Sequence, residues 1–138
     1  MAKWDFGDIM PQPATHDLVM PPQGLNKLAK DVYIANEKWW HDIITGEKLN
    51  RNKAEMLALI HSEVSEVLEG ERKDLMDDHL PHRKAAEVEL ADIIIRVLDY
   101  AYGFGYDIEG AYQEKMIYNA TRKDHTKEAR LQPNGKKF

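Results

Sequence analysis

The chain has 138 residues, 43% hydrophobic and 31% charged, with a net charge of −5 and no cysteine. That length suits one domain with a real core, and the missing cysteines exclude a disulfide framework or a thiolate metal site. Net acidity leaves no footprint for general nucleic-acid binding, and no apolar run approaches the roughly 18 residues of a membrane-spanning helix. The opening MAKWDFGDIM lacks a signal peptide's apolar stretch, so a cytoplasmic location is expected.

Residues 1–24 contain Pro11, Pro13, Pro21 and Pro22 and no sustained period, and they read as an extended arm. From Leu25, the residues Leu28, Ala29, Val32, Tyr33, Trp39, Trp40 and Ile43 recur at three- and four-residue steps. This predicts one amphipathic helix that ends at Gly46 and the polar stretch after it. Asn52 is placed to cap a second helix reaching about Lys73, with Leu57, Ile60, Val64, Val67 and Leu68 as its core stripe. A polar stretch with Pro81 separates it from a third helix, roughly Lys84 to Tyr102, closed by Gly103 and Gly105. Asp107 can cap a fourth, Ile108 to Thr121, and residues 123–138 read as a basic tail. The expected fold is all-α and four-helix-bundle-like: an arm over 1–24, a helical domain over 25–122, then the tail.

Charge is unevenly spread. From Lys115 onward seven Lys or Arg face two acids, Asp124 and Glu128. A basic end after an acidic middle suits a metal together with a phosphate-bearing small molecule.

The acidic middle has a pattern. Glu63 and Glu66 are spaced i, i+3 on the second helix, so they share a face, and Glu89 and Asp92 repeat the spacing on the third. The third helix is apolar on most of its circumference, with a single polar strip of Glu89, Asp92, Arg96 and Asp99. Such a helix is expected to be buried, and carboxylates facing a bundle interior need a partner or a cation. Carboxylates without cysteine suit Mg²⁺ or Mn²⁺ better than zinc. Di-iron bundles use Glu-x-x-His pairs, and neither pair here has that histidine. Two metal-free alternatives stand beside this reading: a solvated E-x-x-E surface, and neutralisation of Asp92 by Arg96 at i+4.

The run LIHSEVSEVLEGERK followed by EVELADIIIRVLDYA, with EKMIYNATR and the ending GKKF, resembles the MazG-type all-α nucleoside triphosphate pyrophosphohydrolases, particularly small single-domain and phage-encoded forms. The similarity covers roughly Leu25 to Arg122 and the last few residues. It implies that Glu63, Glu66, Glu89 and Asp92 bind Mg²⁺, and that a nucleoside triphosphate is split between its α- and β-phosphates into a monophosphate and pyrophosphate. It also implies a homodimer or homotetramer. The proline-rich arm and the long segment RKDHTKEARLQPNGKKF depart from the compact family pattern.

Lys115, Asn119 and Arg122, at i, i+4 and i+7, share a predicted helix face and can donate to triphosphate oxygens. Lys136 and Lys137 could close over the phosphates from the tail. Trp39 and Trp40 lie about 100° apart on a helix, so they cannot both face one core, and either could stack on a base. Asn36 interrupts the apolar stripe and needs a partner, for which a base edge is one candidate. Glu63 or Glu66 is the expected acceptor of the attacking water's proton. The rival class is a non-catalytic helical interaction module whose acidic stripes pair with basic residues across an interface.

Overall fold

The computed structural model describes residues 24–137; the predicted arm, apart from Gly24, lies outside the described residues. Within them the chain is all-α, with two isolated bridges, His41 to Lys48 and Met76 to Lys84, and no strand. The elements are α1 (Leu25–Ala35), α2 (Lys53–Lys73), α3 (Ala85–Gly103), α4 (Ile108–Thr121) and α5 (Lys127–Leu131), with 3-10 turns at Glu37–Trp39 and Lys123–His125. They fall into two compact units, Gly24–Ile108 and the residues from Glu109 onward.

In the first unit α3 packs against both α1 and α2. The predicted helix through Trp40 is shorter than its periodicity suggests: α1 stops at Ala35, and Asn36 adopts φ −96° and ψ 5°. A 3-10 turn then carries Trp39 and Trp40, which turns Trp40 into the core at 2% exposed and leaves Trp39 at 60%. The β-branched Ile43, Ile44 and Thr45 that follow are poor continuations of a helix. Here they form a turn in which Asp42 Oδ1 accepts from the backbone N–H groups of Ile44 (2.9 Å) and Thr45 (2.8 Å). The chain returns through Leu49, whose N–H donates to the Trp40 carbonyl at 2.8 Å.

Asn52 caps α2 as expected, accepting from Ala54 and Glu55 N–H groups at 2.9 and 3.2 Å. Its helix ends where Asp74 adopts the left-handed conformation, φ 50°. Gly70 is buried where α2 meets α3; a Cβ there would lie 3.1 Å from the Ala86 nitrogen.

The core is small and aromatic. Ala29, Trp40, Met56, Ala86, Leu98 and Ala101 are its buried apolar residues. The Tyr33 ring lies 5.2 Å from that of Trp40 and 5.0 Å from that of Tyr102, and Trp40 meets Phe104 edge-on at 5.4 Å. Two expectations are corrected here. The proposed α2 core stripe faces outward at Leu57, Val64 and Leu68, which are 43, 51 and 60% exposed. Nor is α3 buried all round: Leu90 and Ile94 are 51 and 56% exposed. Ile60 and Val67 of that stripe are half-buried and share a face with the buried Met56 and Gly70, so α3 sits along one edge of the stripe and leaves Leu57, Val64 and Leu68 outward.

In the second unit α4 ends at Thr121, and Arg122 is extended (φ −65°, ψ 123°). The predicted tail contains secondary structure. Thr126 caps α5 by accepting from the Ala129 N–H at 3.2 Å.

Candidate functional site

Helices α2 and α3 bring carboxylates together. Glu63 from α2 and Glu89 and Asp92 from α3 each offer an oxygen, and these lie within 4.8 Å of one another, all partly buried. Glu66 stands outside this cluster and is exposed, though close enough for its charge to act on Glu89. The i, i+3 pair on α3 therefore converges as expected, whereas on α2 one glutamate turns inward and the other lies at the rim.

Arg96 is part of this group, but not as a partner of Asp92. Its Nε donates to Glu63 Oε1 at 2.7 Å, crossing from α3 to α2. One guanidinium against three carboxylates leaves the cluster negative, and Glu89 registers the excess. Desolvation, then a hydrogen bond and charge from Glu63, with Asp92 and Glu66 adding, push its carboxyl up to about 7. A hard divalent cation is the group such an arrangement accommodates, and all three donors are oxygens.

Beside the cluster is a cavity of about 420 Å³, with Asp92, Arg96 and Asp99 from α3 on one side. Met56, Leu59 and Ile95 give it apolar wall, and Asn36, Trp39 and Arg51 complete it. Asp92 thus belongs to both the carboxylate cluster and the cavity. Arg51 Nη1 donates to the Trp39 carbonyl at 2.6 Å, which ties the 3-10 turn to the start of α2.

Of the two tryptophans, Trp39 is a cavity wall and Trp40 a core residue whose Nε1–H donates to Asp99 Oδ1 at 3.0 Å. Asn36 also lines the cavity, on the same wall as Asp99. Burial pushes the Asp99 carboxyl up, while the Trp40 bond, the neighbouring Asn36 amide and the charges of Arg51 and Arg96 draw it back. Sequence reasoning noted Asp99 only as part of a polar strip and passed over Arg51, which carries no periodic signal ahead of the Asn52 cap.

The basic candidates lie in the second unit. Lys115 Nζ sits over the Tyr118 ring, 4.8 Å from its centroid. Arg122, beyond the end of α4, forks onto Asp124 with bonds of 2.9 and 2.6 Å, and Lys136 Nζ reaches the same carboxylate at 2.8 Å. Arg122 therefore does not extend a shared helix face with Lys115 and Asn119.

Compared with protein-family models, curated proteins and solved structures, the chain matches none.

Proposed function

We propose that the protein is a Mg²⁺- or Mn²⁺-dependent nucleoside triphosphate pyrophosphohydrolase, similar to the MazG type, converting a (deoxy)nucleoside triphosphate and water into a monophosphate and pyrophosphate. The observation that carries this reading is the convergence of Glu63, Glu89 and Asp92 beside a cavity that Asp92 also lines. These three residues would hold the cation. When bound, it supplies charge neutralisation for phosphate oxygens and acidifies water.

The chain's own groups divide the remaining work. Glu66, exposed and outside the cluster, accepts the proton of the attacking water. The water oxygen bonds to the α-phosphorus, the α–β anhydride bond breaks, and pyrophosphate leaves. Arg96 holds Glu63 in place, and the apolar wall of Leu59 and Ile95 with Trp39 and Asn36 receives the nucleoside. Within the second unit Arg122 and Lys136 grip an anion, the Asp124 carboxylate, with the donor chemistry a phosphate group would use. The outward apolar side chains of α2 and α3 support assembly as a homo-oligomer.

Incubation with Mg²⁺ and a panel of ribo- and deoxyribonucleoside triphosphates tests the reading. Pyrophosphate and monophosphate are expected in equal amounts. Glu89→Gln and Asp92→Asn should each lower the rate by at least about a hundredfold. Release of no pyrophosphate from any triphosphate, with the helices intact by circular dichroism, would leave the interaction-module reading in its place.

A further inference from the structure

Arg96 touches both halves of the site: its Nε donates to Glu63 Oε1 at 2.7 Å, and it lines the cavity beside Asp92. A guanidinium carries N–H donors on all three nitrogens and keeps its charge throughout the working pH range. Only Nε is engaged in a hydrogen bond among the described residues, so the donors on the two Nη atoms are open to a ligand. The charges favour an anionic ligand beside a single metal ion. Glu63, Glu89 and Asp92, when ionised, leave two negative charges once Arg96 is counted, the balance of one divalent cation. A second such ion would turn the group positive, and like charges at this spacing repel. Four carboxylates and no arginine would balance two ions, but here Glu66 lies outside the cluster and Arg96 is bonded into it.

On the basis of the nucleotide reading above, we propose that the site takes one divalent cation and that Arg96 stands where a second would act, giving its Nη donors to the phosphate beside Asp92. In two-ion phosphoryl sites the ions clamp both sides of the reacting phosphate. A guanidinium brings positive charge in a planar fork that fits two phosphate oxygens, and its hold strengthens as negative charge builds on them. Arg96 is then a catalytic residue and more than a brace for Glu63. The two roles have opposite signatures in cation binding. A positive group beside Glu63 repels the cation, so its removal tightens cation binding; removal of a mere brace would let the Glu63 oxygen wander and weaken it.

Titration of the full chain with Mn²⁺ alone, with free ion followed by electron paramagnetic resonance, should count one ion per chain. Arg96→Gln should bind Mn²⁺ at least about tenfold more tightly. It should nevertheless release pyrophosphate at least about a hundredfold more slowly in saturating Mg²⁺. Arg96→Lys keeps the charge and loses the fork: its Mn²⁺ affinity should stay within about threefold of native while its rate falls at least about tenfold. The native ion count and the lysine variant decide the matter even where Arg96→Gln does not fold. Two ions per native chain, weaker or unchanged Mn²⁺ binding in Arg96→Gln, or an undiminished rate in either variant overturns the proposal even if pyrophosphate is released. One ion per chain and tighter binding in Arg96→Gln, with no triphosphate hydrolysed by the native chain, would instead reject the hydrolase reading and keep Arg96 as the second charge.

Discussion

Glu89 is the residue at which burial and like charge meet most directly. Its carboxyl is pushed up to about 7 from an ordinary 4.5 by burial and by Glu63, Asp92 and Glu66. The folded state thus binds this proton more tightly than the unfolded chain does. The associated stability is fully present below about 4.5 and is lost as pH rises to about 7. Without metal, the melting temperature of the native chain relative to Glu89→Gln should fall between pH 5 and 8. Added Mg²⁺ should raise it more at pH 8 than at pH 5, because the cation and the proton compete for the same oxygens. A difference between the two proteins that is flat across this range would remove Glu89 from the cluster. Trp40 gives a second prediction at this scale. Trp40→Phe keeps an aromatic ring but takes one N–H from the buried Asp99, which should cost about 1–3 kcal/mol in a denaturant melt. A cost near zero would mean that the indole contributes packing alone.

Among the elements, the starts and stops were the most legible parts of the sequence. Asn52 marks the start of α2 because its side chain bonds to N–H groups two and three residues on, a local event written in local residues. The bounds of α3 and α4 also fall close to their predicted positions, although Lys84 at the start of α3 makes no side-chain cap bond. Which face an element buries was less legible. Val64 and Leu68 mark an apolar stripe on α2, yet contact with α3 is made at Gly70, whose signal is the absence of a side chain. The break after Ala35 was illegible too, since the spacing of Trp39 and Trp40 fits a continuing helix. What draws Trp40 out of that spiral is Asp99, a partner 59 residues away. In the site, the α3 pair Glu89 and Asp92 was readable from spacing, while the Arg96–Glu63 bond between helices was not. Gly103 shows how tightly this end of α3 is held: a Cβ there would overlap the Trp40 ring. Gly103→Ala should therefore destabilise by about 1–3 kcal/mol from overpacking, against the roughly 1 kcal/mol that alanine gains in an open helix position. A stabilised variant would contradict this packing.

At the scale of the whole molecule, the described residues leave much apolar surface outward. Leu57, Val64 and Leu68 share one side of α2, and Leu90 and Ile94 one side of α3. No helix among the described residues is long and apolar enough to cross a membrane. As a homo-oligomer the chain should sediment at a multiple of its own mass, and Leu68→Glu with Ile94→Glu should shift it to the monomer. Sedimentation of the native chain as a monomer would contradict that assembly.

The central claim is that water is directed to the α-phosphorus of a nucleoside triphosphate beside Glu63, Glu89 and Asp92. Hydrolysis in ¹⁸O-labelled water with Mg²⁺, read by mass spectrometry of both products, tests it most directly. The account predicts one ¹⁸O in the nucleoside monophosphate and none in the pyrophosphate, with both products lost in Glu89→Gln. Label in the pyrophosphate, release of orthophosphate instead, or no hydrolysis of any triphosphate would contradict it.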